Sequence, residues 1–170
     1  MSITRLYKKL KFDQVPSTPV GPTNLYDGND AATAGGGLTV ASGWYDTYSH
    51  GTFSALPDGE GGNCIRLTAV NSSNCRATYI VALESGKTYD FNIRIREGVG
   101  AAGRIITPRQ TNGGSSYGSL SSQPNTTTSW NTYNLTLTVP STGDYRIWFN
   151  MTGVTTGEYI EISNLEIFEQ

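Results

Sequence analysis

TYDFNIRIR, residues 88–96, alternates side chain by side chain: Tyr89, Phe91, Ile93 and Ile95 are apolar, while Asp90, Asn92, Arg94 and Arg96 are polar. In an extended chain successive side chains point to opposite faces, so this segment reads as a strand with one face in a core and the other in water. The same period governs Tyr133, Leu135, Leu137 and Val139 against Asn134, Thr136 and Thr138. It recurs in Tyr145, Ile147, Phe149 and Met151 against Arg146, Trp148 and Asn150. Further strands are predicted near 52–56, 63–70, 75–83, 103–107, 115–120 and 158–168, set off by clusters of Gly, Asn, Asp and Ser. Eight or more antiparallel strands in residues 23–170 predict an all-β, two-sheet antiparallel β-sandwich, a jelly roll. With no repeat of fixed period, propellers and solenoids are disfavoured.

Composition agrees: of 170 residues only 15% are charged, 11% are aromatic and 20 are Gly. Such a chain favours strands and turns. Residues 1–22 differ from the rest. Ile3, Leu6, Tyr7 and Leu10 have the spacing of one helix face, and Arg5, Lys8, Lys9 and Lys11 give the first eleven residues four positive charges and no acid. The whole chain carries −2, so the remainder carries −6. Three prolines between Pro16 and Pro22 then predict an extended tether. Residues 1–22 are therefore expected to be a basic N-terminal arm that orders against a partner, with Ile3, Arg5, Leu6, Tyr7, Lys8, Lys9 and Leu10 docking.

No run reaches the roughly 20 apolar residues of a membrane span, and lysines interrupt the one candidate for a leader's apolar core. Cytosolic synthesis is expected. Cys64 and Cys75 are the only cysteines. If 64–70 and 75–82 pair as a hairpin over Asn71-Ser72-Ser73-Asn74, the sulfurs lie roughly 20 Å apart along the ribbon, and free thiols are expected. Without export, the acceptor sequons at Asn71, Asn125, Asn134 and Asn150 carry no meaning.

LESGKTYDFNIRIREG (83–98), SWNTYNLTLTVPSTGDYRIWFN (129–150) and EYIEISNLEIFEQ (158–170) resemble the back half of jelly-roll carbohydrate-binding modules of the kind attached to xylanases and other glycan hydrolases. GLTVASGWYDTYSHG (37–51) is similar to their early Gly-Trp segment, so the resemblance spans roughly 37–170. It implies a sandwich fold and a glycan ligand. It also implies a structural calcium held by an acid of the last strand, but Ser163 stands at that position, so no cofactor or metal is expected. YDGND (26–30) and LPDGEGG (56–62) offer turn oxygens without the spacing of an EF-hand loop.

Catalysis finds little to work with. His50, the only histidine, sits in a glycine-flanked turn; nucleophile-elbow, phosphate-loop and metal-cluster motifs are missing. Asp46, Asp58, Glu60 and Asp144 would form an acid pair only if the fold gathered them. A non-enzyme is expected. An acidic body without lysine-interleaved aromatics also argues against nucleic acid.

Sugar binding needs aromatic platforms flanked by hydroxyl-binding side chains. Trp148 stands on the outward register of its strand beside Arg146 and Asn150. It is either an uncovered platform or covered by a loop, the arm or a neighbouring subunit. Arg94 and Arg96 share the wet face of another strand, as sugar contacts or as solubilising charges. Trp44, Tyr45 and Tyr48 form a rim, or Trp44 is a buried anchor as the resemblance implies. Trp130 is placed at the core edge, and Tyr117 is a lone loop aromatic.

A sandwich that reads glycans, carried on a basic arm and lacking a leader, makes sense on a bacteriophage particle assembled in the host cytoplasm and freed by lysis. The expectation is a non-catalytic virion surface protein, a capsid or tail decoration or fibre. Its arm would meet virion proteins, its sandwich would meet cell-surface glycans, and homo-oligomers would add avidity. The alternatives are a binding module of a secreted glycan-degrading enzyme and a purely structural decoration.

Overall fold

The computed structural model describes residue 25 and residues 31–34, 37–40, 44–110 and 118–170, the side chains of 31–40, 106 and 107 excepted. The expected arm and tether, the 26–30 turn and Tyr117 lie outside the described residues. Twelve strands follow in order: β1 (Ala31–Ala34), β2 (Gly37–Val40), β3 (Tyr45–Asp46), β4 (Gly51–Pro57), β5 (Asn63–Ala69), β6 (Cys75–Leu83), β7 (Thr88–Glu97), β8 (Gly103–Gln110), β9 (Ser119–Leu120), β10 (Asn131–Thr138), β11 (Gly143–Met151) and β12 (Tyr159–Glu169). β1 and β2 make a separate hairpin. The others form a six-stranded sheet, β4-β5-β12-β7-β10-β9, and a four-stranded sheet, β3-β6-β11-β8.

All strand pairs are antiparallel, and the two sheets close over one core. The alternation read in β7 holds: Tyr89, Phe91, Ile93 and Ile95 are buried, as are Tyr145, Ile147, Phe149 and Met151 from β11 in the opposite sheet. Phe91 and Phe149 meet across the layers with ring centroids 6.3 Å apart. Large apolar side chains from both inner faces supply the driving force, roughly 25 cal/mol for each Å² of apolar surface removed from water. The turn before β7 needs Gly86, which holds φ 75° and donates its N–H to the Val139 carbonyl at 2.8 Å.

The pairing expected for residues 64–82 is corrected. β5 pairs with β4 and β12, whereas β6 pairs with β3 and β11, so residues 70–74 cross from one sheet to the other. Both strands bear an apolar face that must be buried, and facing each other across the core satisfies that demand as well as a hairpin would. Cys64 and Cys75 are nevertheless free and buried, each near the start of its strand and in different sheets.

Trp130 is corrected too. It lies on the outer face of the six-stranded sheet, half-buried, with the guanidinium carbons of Arg94 and Arg96 each 4.5 Å from its ring. Its Nε1 donates to the Asp58 carbonyl at 3.1 Å.

Candidate functional site

The two outer faces of the sandwich have different chemistry. On the six-stranded sheet the polar side chains satisfy one another. Glu161, 0% exposed, accepts from Arg66 Nε at 2.8 Å and from Arg96 Nε. Arg94 donates to Asp58 at 3.0 Å, to the Ser163 hydroxyl at 2.6 Å and to Glu60. Arg66 also lies over the Tyr159 ring at 3.9 Å. Burial pushes the Asp58 carboxyl up. The N–H groups of Glu60 and Gly62 and the Arg94 guanidinium outweigh it and hold the group below its ordinary value of 3.8.

The oxygens around Ser163 and Asp58 are already engaged. Ser163, at the position where the family resemblance implies an acid, meets Arg94, and Asp58 spends its oxygens on two backbone N–H groups and the same guanidinium. A positive side chain already stands among these oxygens, so they do not fit a divalent cation. Among the described residues no three His, Cys, Asp or Glu side chains gather into a cation site. Nor do the four acids gather: Asp58 and Glu60 share Arg94, while Asp46 and Asp144 belong to strands of the four-stranded sheet.

The outer face of the four-stranded sheet is the candidate site. In β11 the core takes Ile147 and Phe149, so Arg146, Trp148 and Asn150 point outward, as the alternation predicts. Register places Trp148 beside Thr78, with Tyr45 on Thr78's far side, and Asn150 between Arg76 and Arg104. Of the two readings of Trp148 the covered one holds, with a different cover: it is 8% exposed, and the Arg76 guanidinium lies over its ring at 4.3 Å. The same guanidinium lies 4.8 Å from the Tyr48 ring, and Arg76 Nε donates to Asn150 Oδ1 at 3.1 Å. Tyr45 and Tyr48 are the open aromatics here, 36% and 38% exposed.

Asp46 holds the rim. Its carboxylate accepts four backbone N–H groups, from Tyr48 (3.1 Å), His50 (2.7 Å), Gly51 (2.8 Å) and Arg76 (2.8 Å). A short side chain bonding backbone a few residues ahead is the Asx-turn device, and here it also ties the turn to β6. His50 stacks on Tyr48 at 6.2 Å and donates from Nδ1 to the Asn74 carbonyl at 3.2 Å. Tyr48, His50, Ser72, Ser73 and Asn74 line an open depression at this corner.

Of the residues singled out in the sequence, Tyr45, Tyr48, Arg146, Trp148 and Asn150 share this face. Arg94 and Arg96 do not: β7 belongs to the other sheet, so they stand on the far side of the molecule, held in ion pairs. Trp44 is a core residue, 9% exposed, packed on Tyr79 at 5.5 Å, Phe149 at 5.8 Å and Phe53 at 6.4 Å. Sequence reasoning missed Arg76 and Arg104, and it weighed Asp46 only as a member of an acid pair, not as the anchor of the rim. Outward alternation in β6 and β8 was the signal for the two arginines; for Asp46 there was none short of the turn geometry.

On this face, among the described residues, Trp148 Nε1 is buried and meets no hydrogen-bond partner. Such a donor forgoes about 1–3 kcal/mol until an acceptor reaches it.

No family model and no curated protein sequence matches the chain. Solved structures similar to it in fold include the CBM22-1-CBM22-2 tandem domain of Paenibacillus barcinonensis Xyn10C, with TM-score 0.60 and 9% identity over 87% of this chain and 45% of that one. TmCBM61 in complex with β-1,4-galactotriose is similar with TM-score 0.53 and 15% identity, covering 76% of this chain and 90% of that one. The enzymatically active domain of bacteriophage CBA120 tailspike protein 4 is similar with TM-score 0.56 and 15% identity, over 76% of this chain and 20% of that chain. At these identities the likeness is one of fold: a β-sandwich of the carbohydrate-binding-module type.

Proposed function

We propose that the domain is a non-catalytic glycan reader and that its binding surface is the outer face of the four-stranded sheet. The observation that carries this reading is unspent hydrogen-bonding capacity beneath exposed rings. Among the described residues Trp148 Nε1 has no partner, and Tyr45 and Tyr48 stand open beside it. A saccharide supplies both things this surface lacks, hydroxyl acceptors for buried donors and apolar ring faces for aromatic side chains. The opposite face offers neither, because its guanidinium groups and its tryptophan are engaged with one another. Calorimetry and a glycan array test the proposal with Tyr48→Ala, which removes a rim aromatic, and Trp148→Phe, which keeps a ring and deletes the N–H. Each variant is expected to bind at least tenfold more weakly than the wild type while melting cooperatively. A wild-type protein that binds no glycan overturns the reading.

In its setting, the proposal is a bacteriophage virion surface protein displayed on its basic arm, in several copies so that shallow sites act together. The basic arm, the proline tether and the likeness to a tailspike domain support it. Deleting residues 1–22 is expected to abolish incorporation into particles; incorporation without them refutes the docking role. The likeness to a tandem domain of Xyn10C favours the rival setting, a module of a glycan-degrading enzyme. A hydrolase encoded in the same reading frame decides for the rival.

A further inference from the structure

The face proposed above as a glycan site is cationic, within a chain of net charge −2. Arg76, Asn150 and Arg104 lie in one row across β6, β11 and β8, and Arg146 and Arg109 lie paired in another. Strands in a sheet are about 4.8 Å apart, so the bases of Arg76 and Arg104 stand about 10 Å from each other with the Asn150 amide between them. Among the described residues no carboxylate pairs with Arg76 and no acceptor meets its two Nη groups. Among the described residues Arg104 donates only from Nε, to the Gln123 carbonyl at 3.2 Å. Among the described residues neither Arg76 nor Arg104 makes an ion pair with an acid. Asp46 directs its oxygens to four backbone N–H groups and not to a guanidinium, and Asp144 stands beside Arg146, six residues along β11 from Asn150. On the far sheet, by contrast, Arg66, Arg94 and Arg96 are all ion-paired.

From this, and resting on the glycan reading, we infer that the ligand is an anionic saccharide. A guanidinium held over an indole leaves N–H groups free to meet a ligand, and its planar fork matches the paired oxygens of a carboxylate, sulfate or phosphate ester. A neutral sugar would leave the Arg76 charge without a counterpart in the bound state. Two guanidiniums bracketing an amide suit a chain with acidic groups on either side of a hydroxyl-bearing ring. Tyr48 and Trp148 hold Arg76 in place, so little side-chain freedom remains to be lost on binding.

The experiment uses pairs of polymers that differ only in charge: polygalacturonate against its full methyl ester, and dextran sulfate against dextran, with duplex DNA as a third polyanion. At least one anionic polymer is expected to bind tenfold or more tightly than its neutral twin, to weaken as NaCl rises, and to lose that advantage in Arg76→Gln and Arg104→Gln. Arg104→Gln guards against misfolding, since its side chain is exposed and makes one backbone contact. The outcome separates carboxylate from sulfate ligands by which pair responds. Equal binding of charged and neutral twins overturns this inference and leaves the glycan reading standing. Duplex DNA bound as tightly as the best polysaccharide overturns it as well, in favour of a general polyanion surface. If none of the four polysaccharides binds, both fail.

Discussion

Asp46→Asn changes one atom at the point where the rim of the candidate site is tied to the sandwich. The carboxylate accepts four N–H groups, two on each oxygen: Tyr48 and Arg76 on Oδ1, His50 and Gly51 on Oδ2. An amide keeps one acceptor oxygen, so two of the four bonds are lost. If the new N–H2 faced His50 and Gly51, two part-buried donors would be orphaned. Facing Tyr48 and Arg76 is cheaper, because the Tyr48 N–H is exposed and water replaces its partner. That leaves one part-buried charged hydrogen bond, worth about 1.5–3 kcal/mol, as the main loss. For a domain of this size the melting temperature should fall by about 3–12 °C, followed by circular dichroism. Calorimetry on the same variant should show weaker glycan binding, because Tyr48 and the stacked His50 lose their anchor. Asp46→Ala, which removes all four bonds, should cost more than Asp46→Asn. A melting temperature unchanged by either substitution would refute the claim that this carboxylate organises the turn.

Glu161→Ala leaves Arg66 and Arg96 facing each other without the acid between them and is expected to cost about 3 kcal/mol, toward the lower end for a broken buried pair because both arginines reach water. Urea unfolding measures it, and replacing all three residues by Met or Leu should cost less than the single change; the reverse order refutes the pairing argument. Burial, with Glu161 second, pushes the Cys64 thiol up to about 12, and burial, with Asp46 second, pushes Cys75 up to about 11. Iodoacetamide at pH 8 should therefore leave both thiols unmodified until the chain is unfolded in urea, and stoichiometric labelling of the native protein contradicts this. Asp58 has its folded value held below 3.8, so its stabilisation is present above that pH and is lost as pH falls through 3.8 toward the folded value. Asp58→Asn should be less stable than wild type at pH 7, with the deficit shrinking by pH 3; a deficit that stays constant would show that the carboxylate charge is not the source.

The period of two in β7, β10 and β11 settled the fold from the chain alone, because an apolar face on each strand demands a second layer to cover it. It equally fixed the direction of each side chain: Trp148, Arg146 and Asn150 do point away from the core. Direction was not exposure. The cover over Trp148 is Arg76, which belongs to β6, and only the pairing of β6 with β11 brings the two together. Assignment of strands to sheets was likewise hidden, since an alternating strand advertises which face it buries and not which neighbour it joins. That is why residues 63–83 look like a hairpin and form a crossover, and why Arg94 and Arg96 look like companions of Trp148 and stand on the opposite side. Alternation is a local consequence of backbone geometry and is written residue by residue. Partners in a sandwich are chosen by burying two faces at once, and that choice exists only when the whole chain has closed.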